Sequence, residues 1–188
     1  MVRPAVTARP ALPARTARAA EIVAAAHRVL EAEGVEALTM RRVGTETGMR
    51  APSIYKHFRD KASLELALIE EGLAELGDAL HAAVRDPGHT GPVQALLTAY
   101  RAHALAHPNL YRLATSGPLD RAHLTPGLED WAGEPFFLAT GDPWVAQAMW
   151  SAAHGLVILE LDGRYPEGSE LSATWEAAVA AFGAVAAR

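Results

Sequence analysis

No stretch of this chain alternates apolar and polar residues for long enough to line one face of a sheet. Apolar side chains instead recur three and four positions apart, and each run is halted by glycine or proline. That pattern restricts the chain to packed helices. Composition agrees: 40 of 188 residues are alanine, the best helix former, against four each of Phe, Tyr and Trp. Half the residues are apolar, enough for a core and too many for a disordered chain. There is no cysteine, which excludes a disulfide framework, a thiolate metal site and a cysteine nucleophile.

The periodicity predicts about nine helices. The first runs from Arg18 to Glu33 on Ile22, Ala26, Val29 and Leu30, and Gly34 stops it. Thr39 is a suitable N-cap for a short second helix, Met40 to about Thr47, ended by Gly48. A third, about Ala51 to Phe58, carries Pro52 in its first turn, where a missing N–H costs nothing. Two short helices joined through Gly48 make a helix-turn-helix. Asp60 caps a long fourth helix, 61–84, and Asp86-Pro87-Gly88 breaks the chain. Further helices are expected at 92–106, 108–113, 128–139 (distorted or divided by Pro135), 143–161 behind an Asp142 cap, and 170–187.

Charge is unevenly spread. Residues 1–59 hold ten Arg and Lys against five Glu, a net +5, and residues 60–188 hold seven against seventeen acids, a net −10. A basic head on an acidic body points to a polyanionic partner for the head. Residues 1–17, with Arg3, Arg9 and Arg15 among three prolines and no apolar core of a secretory signal, are expected to form a flexible basic arm. The division that follows is arm 1–17, helix-turn-helix domain 18–60 and helical body 61–188. The longest stretch without charge, Pro143 to Leu159, is too short and too polar for a membrane span, so it is expected to be a buried helix in a cytoplasmic protein.

Thr39-Met40-Arg41-Arg42-Val43-Gly44, followed by Thr47-Gly48-Met49-Arg50-Ala51-Pro52-Ser53-Ile54-Tyr55-Lys56-His57-Phe58-Arg59-Asp60-Lys61, resembles the DNA-binding domain of the TetR family. Tyr55, His57, Phe58 and Lys61 match the Tyr-x-His-Phe-x-x-Lys that closes the family's third helix. Val43-Gly44, Thr47 and Met49-Arg50 depart from the usual Ile-Ala, Ala and Val-Ser. The resemblance implies an all-α fold, a DNA-reading head and a helical body that binds a ligand and dimerises. It places Tyr55 and Lys61 on phosphates and allows Thr39 the same role, with Arg41 reaching a base. From the residues alone, Arg50 and Lys56 can reach guanine or phosphate, Ala51 and Pro52 a thymine methyl, and Ser53 lies on the same exposed face. Arg42 is expected on the DNA backbone, and His57 either on phosphate or packed beside Phe58. Phe58, Ile54, Val43, Leu38 and Val29 read as core.

In the body, Trp150, His154 and Gly155 resemble the tryptophan-histidine-glycine signature of one TetR-type C-terminal domain class. Their helix is apolar nearly all round, so one side is expected to serve the core and the other a twin subunit. The expected dimer surface comprises Met149, Ala152, Ala153, Leu156, Val157, Trp175, Ala178, Val179 and Phe182. The family resemblance implies a pocket for a small-molecule effector. Its candidate lining is Tyr100, His103, Tyr111, Trp131, Phe136, Phe137, Trp150 and His154.

No catalytic set emerges. His103 and His107 are spaced as half a zinc site but lack a third ligand at fitting spacing, so no metal and no cofactor is expected. Neither a P-loop, a dinucleotide fingerprint nor a Gly-x-Ser-x-Gly elbow is present, and an enzyme is not expected. The reading that results is a homodimeric transcriptional regulator, a repressor by resemblance, on a palindromic double-stranded operator and released by an effector. The alternative is a helical small-molecule-binding or interaction module that does not bind DNA.

Overall fold

Thr16 starts the first helix by accepting the Ala19 N–H, and the chain then coils as α1, Ala17–Glu33, until Gly34 turns it out at φ +83°. In the computed structural model, residues 8–186 are described, and among them nine helices and no strand occur. After a 3-10 turn at Val35–Ala37 come α2, Met40–Glu46, and α3, Ala51–Ile54. They are followed by α4, Lys61–Arg85, α5, Pro92–Ala106, and α6, Pro108–Thr115. The last three are α7, Leu128–Thr140, α8, Pro143–Leu161, and α9, Leu171–Ala186.

Two compact units result. Pro10–Ala74 with His107–Leu128 forms the first; Glu75–Ala106 with the chain from Glu129 onward forms the second, to which Arg9 belongs. The break between these units falls within α4. The physical reason is the core of the first unit. Ile22, Leu30, Leu38, Val43, Ile54 and Phe58 are closed over by Leu64 and Leu68 of α4 and by Leu110 of α6. Each such side chain, fully buried, contributes about 1.5–3 kcal/mol. At Gly72 an added Cβ would lie 3.1 Å from the Leu110 side chain, so the small residue lets α6 seat against α4.

In the described part of the basic arm, arginines meet carboxylates of α4. Arg15 is held by Glu71, lies 3.6 Å from Glu70 and donates to the Ala67 carbonyl; Arg9 pairs with Asp78 at 2.5 Å. Two of its three arginines are thus committed to carboxylates of α4, and Arg3 lies outside the described residues. The acids of α4 supply partners for these arginines that the local sequence of the arm does not contain.

In the second unit, α5, α8 and α9 pack on one another. Asp142 caps α8 by accepting the Trp144 and Val145 N–H groups at 2.8 and 2.9 Å. Pro135 does not divide α7, which runs unbroken from Leu128 to Thr140. A helical proline deprives the carbonyl four residues back of its donor, here Trp131. His81 of α4 supplies it: its Nε2 lies 3.0 Å from the Trp131 oxygen, with the imidazole stacked on the Trp131 ring at 4.8 Å.

Candidate nucleic-acid interface

Thr39 sets the angle at which α2 begins: its hydroxyl oxygen accepts the Arg42 N–H at 3.1 Å. The turn after α2 is tight. Gly48 adopts φ +67°, and the Met49 N–H donates to the Gly44 carbonyl at 2.7 Å. A Cβ at Gly44 would lie 2.8 Å from the Met49 oxygen, so glycine at this position follows from how closely the turn folds back on α2. Arg50 sits at the N-cap of α3 in extended conformation, and its side chain does not cap. α3 itself is a single turn, shorter than the expected 51–58. After Ile54 the His57 and Phe58 N–H groups both return to the Ile54 carbonyl, which closes the chain so that Phe58 drops into the core.

This turn presents a continuous polar edge. Thr39, Arg41, Arg50, Pro52, Tyr55, Lys56 and His57 are exposed, and Ala51 and Ser53 are half-buried beside them. Ile54 and Val43 are fully buried beneath. His57 therefore does not pack beside Phe58 in the core. Most basic groups of the head are already neutralised by neighbours: Arg18 by Glu21, Arg28 by Glu46, and Arg59 by Asp60. Arg42 is the most committed. Its guanidinium grips both oxygens of Glu33 and reaches Glu46 at 3.0 Å, and these two carboxylates hold its pKa above the ordinary value. The same ion pairs, led by the hydrogen bond from Arg42, hold Glu46 below the usual carboxylate range. α2 turns Arg42 toward the end of α1, where these ion pairs hold it. Lys61 is also engaged, at 3.3 Å from both the Val35 carbonyl and Glu65. Among the described residues no ion pair engages Arg41, Arg50 or Lys56; Arg41 lies on α2, Arg50 in the turn and Lys56 in the turn that follows α3.

The candidate pocket residues are divided between the two units. Tyr111 belongs to the first unit and the other seven to the second. Tyr100, Trp131 and Phe136 are core: each is at most 3% exposed, and Tyr100 meets Phe136 edge-on at 5.6 Å. His103 and Phe137 are half-buried. Trp150 is 46% exposed and stacks on His154, whose pKa burial pushes down. A concavity of about 300 Å³ lies instead between α5 and α9, bordered by Leu97, Thr98, Arg101, Leu105, Trp175 and Val179. At its edge Arg101 forks onto Glu160, which also accepts the Trp175 indole N–H at 3.0 Å.

The candidate dimer set is likewise divided. Met149, Ala153, Val157 and Trp175 face the interior of their own unit, while Ala152, Leu156, Ala178, Val179 and Phe182 are half-buried. α8 also exposes Trp144, at 76%, and Leu159, at 42%, the latter on the same side of the helix as Ala152. A Cβ on Gly155 would meet nothing within 4 Å, so no other helix among the described residues packs closely there.

A one-turn recognition helix carried on a capped short helix, over a core of its own, defines a helix-turn-helix protein of the DNA-binding type. Residues 22–68 match the family described as bacterial regulatory proteins, tetR family, and residues 93–182 match the tetracyclin repressor-like C-terminal domain. The chain belongs to the TetR family of transcriptional regulators, and the family's members are regulators, not enzymes. An uncharacterised HTH-type transcriptional regulator of Mycobacterium tuberculosis is 29% identical over 156 residues, covering 75% of this chain and 69% of that one. A protein of unknown function from Rhodococcus sp. RHA1 superposes with a TM-score of 0.76 at 25% identity, covering 89% of this chain and 94% of that one. The multidrug binding protein EbrR, complexed with imidazole, shares the fold at a TM-score of 0.64 and 24% identity, over 90% of this chain and 95% of that one. No helix among the described residues is long and apolar enough to cross a membrane.

Proposed function

We propose that this regulator works as a cytoplasmic homodimeric repressor, holding a palindromic operator until a small molecule bound in the helical body releases it. One observation carries the reading on DNA: the only Arg and Lys side chains of residues 8–59 without an ion-pair partner, Arg41, Arg50 and Lys56, cluster on the helix-turn-helix. Thr39, Tyr55, His57 and Lys61 are proposed to contact phosphate, and Arg50, Ala51, Pro52 and Ser53 base edges. Lys61 would leave Glu65 to do so. Two heads related by a two-fold axis would read half-sites about one helical turn apart. The outward apolar side of α8, with Trp144 and Leu159, supports a twin subunit covering it. The ligand-bound relative EbrR supports a small-molecule effector, and an effector changes operator affinity only as far as it binds the two states unequally.

Fluorescence anisotropy with duplex DNA flanking the gene tests this reading. Nanomolar binding at low salt is expected, with Arg50→Ala and Lys56→Ala each weakening it by roughly tenfold or more. Indifference of the wild-type protein to that DNA at low salt would instead favour a helical binding module without DNA-binding activity.

A further inference from the structure

Away from the recognition edge, three metal-ligating side chains of the first unit converge. His27 and Glu31 are one turn apart on α1, and His107 stands at the N-cap of α6. One ligand atom from each lies within 4.8 Å of the others. The separation of His27 Nε2 from Glu31 Oε1 is 3.9 Å, and the two imidazoles are 5.6 Å apart and tilted by 42°. A tetrahedral ion with bonds of about 2.0–2.2 Å needs donors about 3.4 Å apart, so side-chain rotations of about an ångström would close the set.

Two features separate this cluster from a chance meeting of polar side chains. His27 Nε2 is shut off from solvent and has no hydrogen-bond partner, a state that costs free energy unless something satisfies the atom. Glu31 is held in place: its carboxylate accepts the Asn109 N–H at 3.3 Å and the Leu110 N–H at 2.8 Å, and its carbonyl accepts from the Asn109 amide. Those bonds use two of about four acceptor sites on the carboxylate and orient the rest, as outer partners commonly do for metal ligands. His107 does not cap α6 through its side chain, because Glu31 does so.

We infer that His27, Glu31 and His107 form a binding site for a divalent transition-metal ion, with zinc the natural probe. Two imidazole nitrogens and one carboxylate oxygen, without thiolate, suit zinc and its first-row neighbours rather than magnesium or calcium. The fourth position is left to water. Bound there, the ion would tie α1 of the helix-turn-helix unit to the start of α6.

The test uses the full chain without a histidine tag, stripped with a chelator and titrated with zinc against a chromophoric indicator. One zinc per chain is expected, with His27→Ala and His107→Gln each weakening binding by more than about tenfold. Glu31→Gln keeps an acceptor for the α6 N–H groups and removes the charged ligand, so it should fold and still lose zinc. Zinc should raise the melting temperature of the wild-type protein and not that of the variants, since a ligand of the native state stabilises it. Co²⁺ should give visible absorption in the wild type alone. Equal zinc affinity in wild type and in the folded variants, or equal zinc-induced shifts in melting temperature, would overturn the site. If His27→Ala does not fold, the other two variants decide the matter.

Discussion

At Gly44 the small side chain is required by distance rather than by backbone freedom. Glycine inside a helix ordinarily loses about 0.5–1 kcal/mol relative to alanine, so Gly44→Ala should be favourable on propensity alone. The Met49 carbonyl, 2.8 Å from where the new Cβ would stand, reverses the sign, because backbone in a tight turn has little room to retreat. Gly44→Ala is expected to destabilise the protein by about 1–3 kcal/mol in denaturant unfolding. A glycine in a predicted helix is visible in any sequence; the carbonyl facing it is not. Arg42 teaches the same lesson with charge. Its spacing to Glu46 is a local i,i+4 pair that sequence exposes, but its bidentate partner Glu33 lies on another helix.

Among elements, α7 is held straight by a neighbour. Removing the His81 ring should leave the Trp131 carbonyl unpaired at a cost of about 1–3 kcal/mol. In the Pro135→Ala background the restored N–H can serve that carbonyl, so His81→Ala should cost less there. A double-mutant cycle by thermal unfolding measures this coupling. At the start of α4, Asp60 and Ser63 cap reciprocally: Asp60 Oδ1 accepts the Ser63 N–H at 2.8 Å, and Ser63 Oγ accepts the Asp60 N–H at 3.2 Å. The Ser63 N–H, then Arg59, hold the Asp60 carboxyl below its ordinary value. A folded pKa lower than the unfolded one gives stability that is present above about pH 4 and is lost as pH falls through the folded pKa. Asp60→Asn should therefore flatten the acid limb of the stability–pH curve. Most helix boundaries were legible from caps and breakers such as Thr39, Asp60, Gly34 and Asp142. The length of α3 was not, since its end depends on Phe58 finding the core.

For the whole molecule, net charge is a poor guide and its partition a better one, yet the partition too overstates what a polyanion would meet. Of the +5 assigned to residues 1–59, much is cancelled by ion pairs formed on folding. Under the proposed DNA-binding function, Lys56→Ala should lower the slope of log K against log salt by about 1, while Arg42→Ala should leave it nearly unchanged. Anisotropy titrations at several salt concentrations separate the two.

By itself the sequence determined the helical class, the caps that start most helices, the helix-turn-helix and the family resemblance, because each is written in residues at most a few turns apart. Tertiary structure decided which charges stay unpaired, how the Trp131 carbonyl is satisfied, which side of α8 faces outward, and that His27 and Glu31 meet His107. Several of those outcomes join residues far apart in the chain, Glu33 and Arg42 by 9 positions and His27 and His107 by 80. Only the packing of whole faces against one another selects such partners.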